Sequence, residues 1–179
     1  MLFFSAATGL EGAGRHGLSR EEAACSAQKF VVLVLDQLPT LNARWQGFGV
    51  GEVLRIRAGI ASGYCSLGQW GRSDVRAYTM VGTCVGLAER MQSVSSEDSL
   101  AICPVSARLL MNTPLSSTLS STLSSSLSSS SPGVTAMPEE FETRVCGRRL
   151  FYLSTELSLK GFARMRVYRA SDKVRALSK

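Results

Sequence analysis

The chain contains few of the residues on which metal centres and disulfide-stapled scaffolds depend. Its 179 residues include a single histidine, His16, and five cysteines, none of which forms a CxxC pair. An odd number of widely spaced thiols argues against zinc binding and against a disulfide framework, and it is typical of a reduced, cytosolic protein. We therefore expect a cytoplasmic chain, while attachment of a longer parent protein to a membrane stays open.

Long apolar runs are also missing. The longest strongly apolar run, Phe30 to Leu35, is far shorter than the ~20 residues that a membrane-spanning helix needs, so we expect no membrane span. Apolar residues nevertheless make up 45% of the chain, enough for a core, and the length fits one domain. Aromatic residues, at 7%, are too scattered to indicate a platform for stacking bases.

Positive charge is concentrated in the last part of the chain. The net charge is +6, and residues 144–179 hold ten Lys or Arg against two acidic residues. Such a tail could attract nucleic acid, an anionic membrane or a nucleotide phosphate, or it could be a solvated face with no specific partner. Because no reading helix or aromatic sheet accompanies it, we do not expect nucleic acid as a partner.

The hydrophobic pattern predicts an α+β sheet with helices on one face. A capping box at Ser19–Glu22 predicts a helix over 20–45, with a kink or an end near Leu38 because Pro39 lacks a backbone amide. The glycines at 68 and 71 predict a turn. Further strands are predicted over 1–6, 53–62, 64–67, 76–80, 100–103, 141–146, 150–155 and 157–168, and further helices over 81–93 and 104–111.

One segment differs from the rest in composition. Thr113 to Gly133 contains eleven serines in 21 residues, with leucine at every fourth position. Serine and threonine are poor in helix interiors because their hydroxyls compete for backbone hydrogen bonds, so a disordered insertion is favoured over a leucine-faced helix. We expect one domain made of 1–112 and 134–170, interrupted by a low-complexity insertion at 113–133 and followed by a basic tail at 171–179.

Three motifs follow one another before this insertion. Residues 54–63 read L-R-I-R-A-G-I-A-S-G, residues 63–71 read G-Y-C-S-L-G-Q-W-G, and residues 78–91 read Y-T-M-V-G-T-C-V-G-L-A-E-R-M. After it, L-K-G at 159–161 is followed by V-Y at 167–168. Together they resemble the class III adenylate/guanylate cyclase catalytic domain, in a form most similar to a bacterial-type subgroup.

The resemblance implies a ferredoxin-like class III cyclase fold that is incomplete at its amino terminus. Met1 to Ser5 aligns with the strand that follows the family's second metal aspartate. Both metal aspartates and the purine-reading lysine would then lie upstream of Met1. The resemblance further implies conversion of ATP to cyclic AMP and pyrophosphate in intracellular signalling, with Mg²⁺ or Mn²⁺ as cofactor and a second cyclase domain as partner in a homo- or heterodimer.

The resemblance also assigns individual residues. Arg90 matches the arginine that stabilises the transition state, and Lys160 matches a lysine that contacts the triphosphate. Thr79 matches the position that reads the purine, where threonine accompanies adenine, so ATP is favoured over GTP. Gly86 falls where the family carries an asparagine, and it has no side chain to donate. Without the motifs around them, Arg90 and Lys160 would be taken for solvated surface residues.

Two functions follow from these matches and departures. The first is catalytic: the chain is the carboxy-terminal part of a nucleotide cyclase domain, inactive in isolation because the metal aspartates are absent. The second is a degenerate, non-catalytic cyclase-homology module that dimerises with or regulates an intact cyclase. Gly86 and the absent aspartates favour the second for this chain, whereas the resemblance favours the first for the parent protein.

Overall fold

A computed structural model describes residues 18–72, 75–113 and 137–171. The strand predicted at 1–6, the insertion beyond Thr113 and the basic tail beyond Ser171 lie outside the described residues. Within them the elements are α1 (Arg20–Gly47), β1 (Arg57–Ile60), β2 (Ser66–Arg72), β3 (Val75–Val81), α2 (Thr83–Val94), β4 (Ser99–Ile102), α3 (Pro104–Met111), β5 (Glu140–Val145), β6 (Arg148–Leu157) and β7 (Met165–Ala170).

The strands form one large sheet and one separate hairpin. The large sheet has the order β1-β4-β7-β6-β5, with β1 parallel to β4 and the other neighbouring pairs antiparallel. Strands β2 and β3 pair only with each other among the described strands. This mixed arrangement confirms the α+β fold class.

The helices cover both faces of the large sheet, so the prediction of helices on one face is wrong. Leu100 and Ile102 of β4 pack into a cluster with residues of α1 and α3. Ala101 and Cys103 alternate with them and pack on the opposite face with Met91 of α2. Every residue of β4 is buried, because a strand covered on both sides carries apolar side chains in both directions.

The first helix begins as the capping box predicts and continues past the proline. The Ser19 hydroxyl accepts from the Glu22 amide at 3.1 Å, and the Ser19 amide donates to the Glu22 carboxylate at 2.8 Å. The helix predicted over 20–45 is confirmed, since α1 runs from Arg20 to Gly47, and of the two alternatives predicted near Leu38 the end of the helix is wrong. A tertiary contact stabilises the second half, since the Asn42 side-chain amide bonds both the backbone N–H and the carbonyl of Leu54.

Strand β1 is shorter than the predicted strand over 53–62. Asp98, rather than a neighbouring strand, satisfies the backbone of Ile56, through its side chain and through its own amide. The Ile56 amide donates to the Asp98 carboxylate at 3.1 Å, while the Asp98 amide donates to the Ile56 carbonyl at 2.7 Å. The chain therefore enters the sheet only at Arg57.

The turn predicted at residues 68–71 is also wrong. Both glycines lie inside β2, where Gly68 is paired with Thr79 and Gly71 with Arg76. The strand continues to Arg72, which is paired with Val75. Glycine here fits a strand rather than a reversal of the chain.

Gly59 fixes the position of α2 on the sheet. A Cβ added at this residue would lie 2.2 Å from the backbone nitrogen of Gln92 and 2.3 Å from the carbonyl oxygen of Ala88. Only a residue without a side chain allows α2 to approach β1 this closely. The location of every side chain on α2 depends on this contact.

Candidate active site

The amino terminus of α2 is anchored to the segment between β1 and β2. A Cβ at Gly82, the residue before α2, would lie 2.8 Å from the carbonyl oxygen of Tyr64 and 2.9 Å from the Cα of Cys65. A side chain at Gly82 would therefore push the helix away from the base of the hairpin. This contact and the one at Gly59 hold both ends of α2 in place.

Arg90 lies on α2 next to Met91, which is fully buried in the cluster beneath the helix. Arg90 itself is half-buried, and its Nε atom is buried with no hydrogen-bond partner among the described residues. An unpaired buried donor costs about 1–3 kcal/mol, and more when the group is charged. Arg90 is thus a half-buried side chain whose Nε lacks an acceptor in the described part of the chain.

The connection between β6 and β7 carries Lys160 to the same helix. Leu159 is 7% exposed and packs in one cluster with Met91, while Phe162 packs against that cluster. The Phe162 amide donates to the Leu159 carbonyl at 3.0 Å, closing a tight turn in which Gly161 adopts a positive φ of 83°. The turn leaves Lys160 exposed between two anchored neighbours.

Gly86 faces this connection, one helical turn before Arg90. A Cβ at Gly86 would meet only the ring of Phe162, at an ordinary contact distance of 4.0 Å. Gly86 and Arg90, four residues apart, lie on one side of α2, and the turn that carries Lys160 approaches this side at Gly86 through Phe162. The structure leaves room for a side chain at Gly86.

Thr79 lies apart from these residues, on the hairpin. It is exposed on β3 opposite Gly68, and the Trp70 indole nitrogen lies 4.0 Å from where a Cβ at Gly68 would be. Three residues separate Thr79 from the start of α2. The chain thus links the Thr79 hairpin directly to the helix that bears Arg90.

The acidic side chains of the described residues do not form a metal centre. These residues contain no group of three or more His, Cys, Asp or Glu that could hold a metal ion. Asp36 is paired with Arg148. The described residues therefore do not fit a divalent metal centre.

Comparison with known proteins decides the family. The profile of the adenylate and guanylate cyclase catalytic domain matches residues 4–128. The chain belongs to this family. The class III cyclase resemblance is confirmed.

Solved structures show the same fold. The adenylyl cyclase CyaB from P. aeruginosa matches with a TM-score of 0.62 and 20% identity, over 90% of this chain and 65% of that one. The guanylate cyclase domain of RhGC from Catenaria anguillulae, in complex with GTP, matches with a TM-score of 0.57 and 18% identity, over 92% of this chain and 64% of that one. The cyclase domain thus spans about two-thirds of the length of these structures.

A third structure, the catalytic core of a rhodopsin-guanylyl cyclase with converted specificity in complex with ATPalphaS, has a TM-score of 0.55 at 18% identity, over 92% of this chain and 64% of that one. No curated protein matches the sequence significantly. In the described part of the cyclase domain, no helix combines the length and the apolarity that crossing a bilayer requires.

The sequence indicated four site residues but not the contacts that position them in the fold. The Phe162 contact with Gly86 and the approach of α2 to Gly59 join residues that are far apart in the chain. The position of Gly59 inside a predicted strand is the one local signal that could have indicated the close approach of α2.

Proposed function

We propose that this cyclase domain supplies the phosphate-binding half of a composite ATP cyclase site, and that it is inactive without a partner domain. In the proposed reaction the ribose 3′-hydroxyl attacks the α-phosphorus of ATP, giving cyclic AMP and pyrophosphate. The protein's task is to align the reacting groups and to offset negative charge on the phosphate. The unpaired, buried Nε of Arg90 is the observation that carries the proposal.

Arg90 is suited to meet a phosphate oxygen. None of the ion pairs among the described residues involves it. A guanidinium offers paired, planar donors, and hydrogen bonds from it to phosphate are among the strongest in proteins. A phosphate oxygen at Nε would therefore supply the missing acceptor and receive charge stabilisation at the reacting centre.

Lys160 supports the same ligand from the neighbouring turn. Its ammonium is exposed, while Leu159 and Phe162 on either side are packed against the α2 cluster. These contacts fix the backbone at Lys160, and its side chain can still adjust to contact the outer phosphates of ATP. A lysine binds phosphate as a mobile point charge, in contrast to the fixed fork of Arg90.

Thr79 is proposed to select adenine. Its hydroxyl is exposed and can both donate and accept a hydrogen bond, which suits the amino group and the ring nitrogen on one edge of adenine. A single hydroxyl gives a modest preference, so ATP is proposed over GTP on this residue together with the family resemblance.

A second cyclase domain is the proposed partner. Among the described helices, α2 packs mainly on β1 and β4, so helices cover the same face of the sheet less over β6. There Leu153 is 42% exposed, and it borders a groove of about 730 Å³ that Thr155 and Arg169 also line. An exposed apolar side chain bordered by polar groups is the composition expected of an interface.

The second candidate function is a non-catalytic module that dimerises with or regulates an intact cyclase. Gly86 favours it, because glycine has no amide side chain to stabilise charge at the reacting phosphate. Loss of one such donor typically lowers the rate by ~10²–10³. The described residues also hold no metal cluster.

Nucleotide binding tests the phosphate role. We expect Arg90→Ala to weaken binding of ATPalphaS by about 10–100-fold, the effect of removing a charge-assisted hydrogen bond. Arg108→Ala removes an equal charge from the exposed surface of α3 on the other face of the sheet, and it should leave binding unchanged. Equal affinity of the Arg90 variant and the parent chain would contradict the proposal.

Complementation separates the two candidate functions. The full chain is mixed with a cyclase domain that keeps its metal aspartates but has its own transition-state arginine and asparagine replaced. We expect cyclic AMP only in the mixture, a further increase with Gly86→Asn, and loss with Arg90→Ala. A stable mixed dimer that makes no cyclic AMP, even with Gly86→Asn, would establish the non-catalytic module instead.

A further inference from the structure

Two of the five cysteines lie together where the hairpin meets α2. Ser66 is paired with Val81 in the antiparallel hairpin, so the preceding residue, Cys65, lies opposite Gly82. A Cβ at Gly82 would come within 3.0 Å of the Cβ of Cys65. Cys65 is therefore packed directly against the residue that begins α2.

Cys84 enters the same space from the first turn of α2. Its thiol donates a hydrogen bond to the Tyr64 carbonyl at 3.3 Å. A Cβ at Gly63 would lie 2.9 Å from the Cβ of Cys84 and 3.8 Å from its sulfur. The sulfur of Cys84 is thus adjacent to the backbone on the amino-terminal side of Cys65.

From this arrangement we propose that Cys65 and Cys84 form a reversible disulfide, a redox-controlled modification site at the base of the hairpin. Both cysteines are half-buried and free in the structure. The proposal goes beyond the cyclase function and does not depend on it, because the bond would form whether or not the domain binds a nucleotide.

The chemistry needs a peroxide as oxidant. The Cys65 sulfur attacks a peroxide oxygen, which breaks the O–O bond and gives a sulfenic acid and, from hydrogen peroxide, one water. The Cys84 sulfur then attacks the sulfenic sulfur, forming the S–S bond and releasing a second water. Two electrons pass from the two thiols to the peroxide, and a dithiol reductant reverses the change.

The environment of Cys84 fits the second role. Burial, and then the neighbouring Cys65 thiol, raise the pKa of Cys84. A thiol with a raised pKa is a poor first nucleophile toward peroxide, since the thiolate is the reactive form. Because Cys84 lies next to Cys65, its thiol can still react with a sulfenic acid that forms on Cys65.

The other three cysteines provide internal controls. Cys103 is fully buried and contacts Ser106, and Cys25 contacts Thr113. Cys146 is exposed at the turn between β5 and β6. None of these three is placed by the described contacts beside another cysteine.

Peptide mapping tests the proposal on the full chain. Trypsin cleaves after Arg57, Arg72, Arg76 and Arg90, so Cys65 and Cys84 fall on different peptides, as do the other cysteines. After mild treatment with hydrogen peroxide and blocking of free thiols, we expect the two peptides joined, with the loss of two hydrogen atoms. A dithiol reductant should release them.

Variants sharpen the result. Cys65→Ser and Cys84→Ser should each abolish the joined peptide, whereas Cys146→Ser should leave it unchanged. Overoxidation of Cys65 without cross-linking, or joining of Cys84 to Cys146 as readily as to Cys65, would overturn the proposal. Since the key measurement uses the unmodified sequence, it remains decisive if a serine variant fails to fold.

A second probe needs no oxidant. A trivalent phenylarsenical bridges two sulfurs only when they lie close together, so the reduced chain should bind one equivalent that resists competition by a monothiol. Absence of such binding in the folded, reduced chain would show that the two thiols are not within reach, and it would also overturn the proposal.

Discussion

The two faces of the large sheet are filled to different extents. On the face of α1 and α3, Phe141 stacks on Tyr152 with 4.8 Å between ring centroids, and the Tyr168 hydroxyl donates to the Pro138 carbonyl. The buried Gln28 amide donates to both Thr143 and Tyr152 at 2.7 Å. Aromatic packing and paired polar groups make this face a self-contained core.

The α2 face has a smaller cluster and an unpaired group. Arg90 Nε has no acceptor among the described residues, and Leu153 is exposed on the same face. The buried polar groups named on the α1 and α3 face are paired, whereas two buried side-chain atoms of the described residues, Arg90 Nε and Glu142 Oε1, have no hydrogen-bond partner. Glu142 still has the Arg149 guanidinium 3.4 Å away, so Arg90, on α2, is the one of the two without an ion-pair partner among the residues described.

Gly59→Ala should have the largest effect on stability, because it disrupts the packing of α2 on β1. Its methyl group would overlap the backbone of Gln92 and Ala88. Overpacking against backbone atoms that cannot move aside should cost about 3 kcal/mol of unfolding free energy. Urea denaturation measures this loss of unfolding free energy. Substitutions at neutral surface positions change it by less than about 0.5 kcal/mol, and a change that small would show that α2 does not pack closely on β1.

High pH should weaken the α1 and α3 face through Tyr152. Burial raises the pKa of Tyr152 well above its ordinary value of 10.0. The folded state therefore binds the Tyr152 hydroxyl proton more tightly than the unfolded state does. The resulting contribution to the free energy of unfolding is complete below pH 10 and is lost as the pH rises above it. Ultraviolet titration should show one tyrosine that ionises only when the protein unfolds, and simultaneous titration of all tyrosines would contradict this.

Tyr152→Phe should produce a moderate loss on the same face. The Gln28 amide loses one of its two acceptors, at a cost of about 1 kcal/mol. Thr143 keeps the second bond, so the loss should stay well below that of Gly59→Ala. Thermal unfolding of the variant at neutral pH measures the difference, and the alkaline step assigned to Tyr152 should disappear.

Gly86→Ala should give the smallest effect, with the opposite sign. A Cβ at Gly86 has ordinary space beside Phe162, and alanine is favoured over glycine inside a helix by about 0.5–1 kcal/mol. A gain in the midpoint of urea unfolding is expected. This variant is also the matched control for Gly59→Ala, because a loss here would mean that the α2 face is closely packed throughout.

Local signals predicted much of the fold. The capping box at Ser19 located the start of α1, and Pro104 located the start of α3, where proline's missing amide has no helical partner to lose. The strands predicted over 100–103 and 141–146 lie within one residue of β4 and β5 at each end. In each case the determining interaction lies within a few residues of the element.

The wrong predictions depend on contacts between distant segments. Pro39 does not end α1, because Asn42 holds the helix to Leu54. The side of the sheet on which α2 packs is set by its approach to Gly59, more than twenty residues earlier in the chain. Periodicity within a segment carries no information on such contacts.

For the candidate site, the sequence indicated which residues belong to it, and the structure showed which groups surround each of them. Arg90, Lys160, Thr79 and Gly86 were named through the family resemblance, and their roles remain predictions. The unpaired Nε of Arg90 could not be predicted, because it depends on which carboxylates the fold places elsewhere.

The separate pairing of β2 with β3 has a consequence for how this protein can change over evolutionary time. The residue proposed to choose the base stands on a ribbon whose ladder is internal to β2 and β3, whereas the residue proposed to stabilise the reacting phosphate stands on a helix anchored to the large sheet. If the two residues have the proposed roles, substitutions in the ribbon would alter base preference while leaving the phosphate chemistry unchanged. Selection could then adjust the two properties one at a time.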